Sequence, residues 1–178
     1  MSFNTKEELL VDEIKKNNFK SYVEVGVWTA ENLCYVGKNG GLEICWGVDD
    51  YKVYVDAKEE STCSKFSQTE FWEVRNIAIQ NIKRSDSNIK LHLCSSLAAS
   101  RIVPDKSLDF VFIDAAHDYE SVLTDLELWF PKIRDGGIIA GHDYCEHYNG
   151  VIKAVNEFFE GYVVELKSFK IWLVRLPI

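Results

Sequence analysis

Apolar residues along this chain fall into two alternating rhythms. Short, nearly continuous apolar runs predict five strands buried on both faces: Tyr22 to Val27, Leu42 to Val48, Ile89 to Cys94, Leu108 to Ile113 and Gly136 to Ala140. Between them the apolar positions recur at helical spacing. Thr5 to Asn17 carries Leu9, Leu10, Val11 and Ile14 among charges, with Asn4 or Thr5 as N-cap. Thr29 to Val36 predicts a second helix, and Ser61 to Lys83, with Phe71, Val74, Ala78 and Ile82 in step, a third. Tyr119, Val122, Leu123, Leu126 and Phe130 mark another helix, as do Val151, Ala154, Val155, Phe158 and Phe159. The chain closes with two strand-like runs, Tyr162 to Leu166 and Ile171 to Val174, separated by a connection of hairpin length. The expectation is an α/β fold of the Rossmann-like kind, a doubly wound and mostly parallel sheet with a C-terminal antiparallel hairpin.

Composition narrows this picture. The 178 residues are 47% apolar and 27% charged, which suits one globular domain and excludes a disordered or fibrous chain. With three prolines and no low-complexity tract, no linker divides it, so residues 1–178 are expected to form one unit: an N-terminal helix over 1–18 and a core over 21–178. A net charge of −8 opposes a polyanion, so nucleic acid is not an expected partner. The first residues lack the apolar core of a signal peptide and no run is long enough for a membrane span, so a cytoplasmic protein without a membrane partner is expected. Cys34, Cys45, Cys63, Cys94 and Cys145 are scattered singly, as reduced packing residues would be. Trp46, Trp72 and Trp129 read as packing residues, whereas Trp28 falls at a strand-end turn.

In an open α/β sheet ligands bind beyond the carboxyl ends of the strands. Here those ends carry Glu24-Val25-Gly26, Asp49-Asp50, Cys94-Ser95-Ser96, Asp114-Ala115-Ala116-His117 and Gly141-His142-Asp143-Tyr144. A glycine at the first turn lets a backbone approach a ligand, and an acid after the second strand can accept bonds from ribose hydroxyls. Both features fit a nucleoside-containing cofactor. The dinucleotide pattern G-x-G-x-x-G is not met, because Trp28 takes its second glycine position. A carboxylate at Glu24 is better suited to a cationic amine or sulfonium than to a pyrophosphate.

The runs EVGVWTAEN, GVDDY and DFVFIDAAHDYESVLTDLELWFPKIRDGGIIAGHDYCEHYNGVIKAVNEFF resemble class I S-adenosylmethionine-dependent methyltransferases over Ser21 to Phe159. The branch of macrocin and mycinamicin sugar O-methyltransferases is the nearer resemblance, and catechol O-methyltransferase the more distant. The resemblance implies that Glu24 and Gly26 hold the methionine end of S-adenosylmethionine, that Asp49 takes the ribose hydroxyls, and that Ser95 or Ser96 flanks the adenine. Trp28 would stand at the mouth of that crevice, and Asp114 would border it. In metal-dependent members the corresponding positions bind Mg²⁺ or another divalent cation, which points to Asp114, His142 and Asp143. His142 departs from the acid usual there, and imidazole is a poor Mg²⁺ ligand. His117, three residues beyond Asp114, would be the general base, a task a neutral imidazole suits.

The expected function is O-methylation of a small hydroxylated molecule, a sugar or a phenolic metabolite, with His117 and Asp114 as catalytic residues. Two alternatives stand beside it: a non-catalytic cofactor-binding or assembly module on the same fold, and an NAD(P)-dependent short dehydrogenase. Each site residue also has a structural reading. Gly26 suits any tight turn, Asp114 could cap a following helix, His117 and His142 could be structural histidines, and Asp118, Glu120, Asp125 and Glu127 read as a solvated helix face. Only the first ~18 residues, 51–70 and 144–149 are available to select a substrate, which leaves room for a homo-oligomer whose neighbouring subunit completes the pocket.

Overall fold

A computed structural model describes residues 3–53 and 66–178 of the chain. Five parallel strands form its centre: β1 (Ser21–Val25), β2 (Ile44–Val48), β3 (Ile89–His92), β4 (Leu108–Ile113) and β5 (Ile133–Gly141). The hairpin of β6 (Val164–Lys167) and β7 (Ile171–Arg175) follows, and the sheet order is β3-β2-β1-β4-β5-β7-β6. Strand β7 runs antiparallel to β5, and β6 antiparallel to β7. This is the mostly parallel sheet with a C-terminal antiparallel hairpin that the pattern predicts.

Alternation within the central strands divides the core in two, because successive side chains leave a strand on opposite faces. Tyr22 of β1 and Phe110 and Phe112 of β4 meet α1 (Lys6–Lys16), α2 (Glu31–Asn39) and α3 (Gln68–Ser85), burying Leu10, Ile14, Leu33, Val36, Phe71 and Ala78. Val23, Val25, Val111 and Ile113 meet α4 (Ser96–Ser100), α5 (Tyr119–Trp129) and α6 (Asn149–Phe158), burying Val122, Leu126, Trp129, Val151 and Ala154. Burying each of the larger aliphatic and phenylalanine side chains contributes about 1.5–3 kcal/mol. No helix among the described residues is long and apolar enough to cross a membrane.

Boundaries move where local chemistry overrides periodicity. The second helix, expected from Thr29, begins at Glu31 because Ala30 adopts a left-handed conformation with φ 63°. The third runs over Gln68–Ser85, opened by a capping box in which Ser67 and Glu70 satisfy each other's backbone amides; positions 61–65 lie outside the described residues. Strand β5 extends back to Ile133, with a register shift opposite Asp109. The Asp109 carboxylate accepts bonds from the amides of Lys20 and Ser21 at 2.7 Å and from Arg134 at 2.6 Å, tying the start of β1 to β5. Cys34, Cys45, Cys94 and Cys145 are free thiols, and Cys63 lies outside the described residues.

Two side-chain expectations are corrected. Trp72 is half exposed, because the neighbouring Phe71 takes the core-facing position on α3. Asp125 is buried, not solvated, since helix α5, capped by Asp118, carries Asp125 round to α4. There Ser96 Oγ donates to Asp125 Oδ1 and accepts from Trp129 Nε1 at 2.8 Å.

Burial pushes the Asp125 carboxyl up to about 6, against the lowering effect of the Ser96 bond. An acid whose folded value is raised binds protons more tightly folded than unfolded, so its ionisation removes stability as pH rises from about 4 to 6. Asp125→Asn keeps an acceptor for Ser96 and should stabilise the fold at pH 7 by on the order of 2 kcal/mol, fading below about pH 4. Urea denaturation of both proteins at pH 4 and pH 7 checks this; equal midpoints at pH 7 would refute it.

Candidate active site

The strand order reverses between β1 and β4, so the chain leaves these neighbours toward opposite faces and opens a crevice at their carboxyl ends. Gly26 follows β1 there with φ 86°. A Cβ at this position would lie 2.3 Å from the Asp114 carbonyl oxygen and 2.6 Å from Ala115 Cα, so only glycine lets the two strand ends come together. The following turn holds Trp28 and Ala30 at φ 51° and 63°, and Tyr51 beyond β2 has φ 50°. Left-handed residues other than glycine cost about 1–3 kcal/mol each and gather at functional sites.

Asp49 organises this turn. Its Oδ2 accepts the amides of Val27 and Trp28 at 2.9 and 3.2 Å, and its Oδ1 the amide of Tyr51 at 2.8 Å. Burial raises its pKa, with those three amide bonds acting against the shift. Tyr51 Oη donates to the Trp28 carbonyl, and the Trp28 ring packs edge-on to Phe66 and Phe71 with 39% of its surface exposed. Glu24 points into the core and not into the open crevice. Tyr22 Oη donates to it at 2.8 Å and the Asn32 amide also donates to it, while burial, aided by the nearby Asp114 charge, pushes its carboxyl up to about 8. Ser95 caps α4 through the Ala98 amide, and Ser96 faces α5.

The carboxyl ends of β4 and β5 bring together most of the remaining candidates. Consecutive residues of a strand face opposite ways, yet His142 and Asp143 reach one cluster because the chain leaves β conformation at Asp143, φ 58°. Asp143 Oδ2 lies 2.9 Å from His117 Nε2 and 3.2 Å from His142 Nδ1. His142 Nδ1 stands 3.5 Å from Asp114 Oδ1, and Asp114 Oδ2 accepts from Lys6 Nζ at 2.8 Å. Asp118 caps α5, so Asp114 is not a helix cap. The His117 ring stacks on Tyr148 at 4.2 Å, and its Nδ1 is buried without a hydrogen-bond partner among the described residues. Behind it the backbone of Gly150 packs so closely that a Cβ would lie 2.5 Å from the His117 carbonyl oxygen. Asp114, Ala116, His117, His142, Val151 and Trp172 line a small cavity here.

Electrostatics make this group nearly self-sufficient. Burial opposes charge on His142, but its bonds to Asp114 and Asp143 outweigh that and push it up to about 9. Burial likewise opposes the Asp143 charge, yet His117 and His142 hold the carboxyl well below the usual range. His142 and Lys6 together keep Asp114 low against its burial. Near neutral pH two carboxylates thus face an imidazolium and an ammonium. Asp114, His117 and Asp143 offer ligand atoms within 4.8 Å of one another. Mg²⁺ asks for about six oxygens. This set offers two carboxylates already neutralised by Lys6 and His142, so it does not fit Mg²⁺.

Lys6, Tyr22 and Asn32 join the site without having been singled out from the sequence, whereas Tyr148 belongs to the 144–149 loop expected to be available for substrate contact. Tyr22 had a signal, since it shares a strand face with Glu24 two residues on. Lys6 and Tyr148 are brought in by tertiary packing, which local spacing does not report.

A family model described as a methyltransferase domain matches residues 23–144. An uncharacterized protein of Acanthamoeba polyphaga mimivirus is 25% identical over 141 residues, covering 79% of this chain. The chain spans 58% of that relative's length. The O-methyltransferase NovP superposes with TM-score 0.69 at 15% identity, over 97% of this chain and 78% of its own. An O-methyltransferase from Bacillus cereus, solved in complex with SAH, gives TM-score 0.66 at 16% identity, over 98% and 82%. The architecture is therefore that of class I methyltransferases.

The bonded His142 should titrate far above an ordinary histidine. With a folded value near 9 and an unfolded value of about 6.5, the folded state holds the extra proton between these limits. The stability it contributes is therefore complete below about pH 6.5 and lost as pH rises through 9. NMR titration should show the His142 imidazole still protonated at pH 8, with its midpoint falling in Asp143→Asn. A His142 midpoint below pH 7.5 would contradict the arrangement.

Proposed function

The chain belongs to the methyltransferase domain family, and from that premise we propose that it is an S-adenosylmethionine-dependent O-methyltransferase using His117 as general base on a small hydroxylated acceptor. S-adenosylmethionine, when bound, supplies a methyl group activated on a sulfonium. The observation that carries the reading is the His117 imidazole, bonded through Nε2 to Asp143, with a buried Nδ1 that has no partner among the described residues, in a residue that lines the cavity.

The crevice has the features this cosubstrate requires. Gly26 gives the close backbone approach at the switch point, Asp49 holds the turn that would meet the ribose, and Trp28 borders it. Glu24 acts from beneath the methionine end, through its buried group with Tyr22 and Asn32. Ser95 and Ser96 open the helix α4 that would flank the adenine. The names of NovP and the Bacillus cereus protein support a hydroxyl acceptor, which we place among sugars or phenols.

For transfer, the acceptor hydroxyl must lose its proton as oxygen attacks the methyl carbon in line. Asp143 accepts the Nε2 proton of His117, which leaves the Nδ1 lone pair to take the acceptor's proton. Stacking on Tyr148 orients the ring, and the close approach of Gly150 holds the backbone that carries it. The charges of Asp114 and Asp143 are met by Lys6 and His142, so no step is assigned to a metal. The acceptor is a small molecule, and a second copy of the chain could supply a further wall of its pocket.

Calorimetry should give one-to-one binding of S-adenosylmethionine, and no heat at millimolar cofactor would overturn the reading. With a panel of sugar and phenol acceptors, followed by release of S-adenosylhomocysteine, His117→Ala should lower turnover by about 10²–10⁴-fold. Its cofactor affinity should stay within about twofold, since the imidazole is placed on the acceptor side. A fully active His117→Ala would remove the residue from the mechanism.

A further inference from the structure

Helix α1 reaches the site from the far end of the molecule's wiring. Leu9, Leu10, Val11 and Ile14 bury one face of it, and the buried Glu13 bonds Arg175 of β7 at 2.7 Å, so its position on the sheet is held independently of the site. Its first residue is Lys6. A cation in the first turn of a helix faces the positive end of the helix dipole and is disfavoured there. This one is also three-quarters buried, with Nζ 2.8 Å from Asp114 Oδ2 and 6.0 Å from the centre of the Phe112 ring. Asp114 is the partner that compensates both costs.

Asp114 also stands in the set that has ligand geometry for a cation: one atom from each of Asp114, His117 and Asp143, mutually within 4.8 Å. Lys6 already occupies one of the two Asp114 oxygens, and His142 lies near the other. A divalent ion entering this set would have to displace the ammonium or bind beside it. Like charges this close, and partly removed from water, repel strongly.

We propose that Lys6 is the resident cation of this site, a tethered ammonium that takes the place of a divalent ion on Asp114, and that removing it opens a metal site on Asp114, His117 and Asp143. The donor set left behind, two carboxylates and an imidazole, suits Mn²⁺ better than Mg²⁺. The inference concerns charge at Asp114 and stands whether or not the chain transfers methyl groups.

The test is Mn²⁺ binding, read by electron paramagnetic resonance of the free ion and by calorimetry, with no turnover involved. Wild type should show no one-to-one site tighter than millimolar. Lys6→Gln, which keeps the stem and removes the charge, should bind one Mn²⁺ with affinity raised by about tenfold or more. Adding Asp114→Asn should abolish that site, and Lys6→Arg should behave as wild type. Tight one-to-one binding by wild type that Asp114→Asn removes would overturn the proposal without any Lys6 variant. A folded Lys6→Gln, verified by circular dichroism, that binds no better than wild type would overturn it equally.

Discussion

The site hangs on one backbone contact, the approach of the β1 turn to the end of β4. Gly26 and the Asp114 carbonyl lie closer than any side chain would allow, and the amide of Asp114 bonds the Val25 carbonyl at 2.8 Å just below. This contact lies where the strand order reverses, so α2 departs to one face and the Asp114 to His117 segment to the other. A residue with a Cβ would push the ends apart by an ångström or more. That would separate the turn held by Asp49 from the charges around Asp114.

Given that contact, the distribution of charge follows. Four groups gather at the ends of β4 and β5, supplied by α1, β4 and β5, and their signs cancel in pairs: Lys6 with Asp114, His142 with Asp143. Buried carboxylates without partners would neutralise by taking up protons. Glu24 shows this alternative within the same protein, because burial outweighs the bonds from Tyr22 and Asn32 and its carboxyl is pushed up. Asp114 and Asp143, with cations in contact, are held low. The difference lies in the neighbours, since all three acids sit at strand ends.

Much of the fold was legible in the pattern of apolar residues because β1 and β4 are buried on both faces and α5 and α6 carry clear helical stripes. Periodicity misjudged places where a side chain or a turn decides. Ala30 delays α2, and Asp125 reads as solvent-facing until Ser96 and Trp129 are seen to enclose it. Within the site, Asp114, His117, His142 and Asp143 were recognisable as strand-end residues. Lys6 was not, because 108 residues of sequence separate it from Asp114 and nothing in the first helix distinguishes it from its other lysines. The role of Tyr148 depends on stacking, which leaves no trace in spacing.

The conformation of Asp143 links this geometry to chemistry. In continued β structure, His142 and Asp143 would face opposite sides of the sheet, and one carboxylate could not meet both imidazoles. A left-handed φ at Asp143 brings the two side chains together, and aspartate tolerates that conformation better than most residues. The bend also ends the pairing of β5 with β4, whose last partners are Ile113 and Gly141. The same departure from the sheet that frees His142 and Asp143 from the ladder therefore sets the carboxylate against His117 Nε2. That contact takes up Nε2 of His117, while Nδ1 of the same ring lies buried with no hydrogen-bond partner among the described residues.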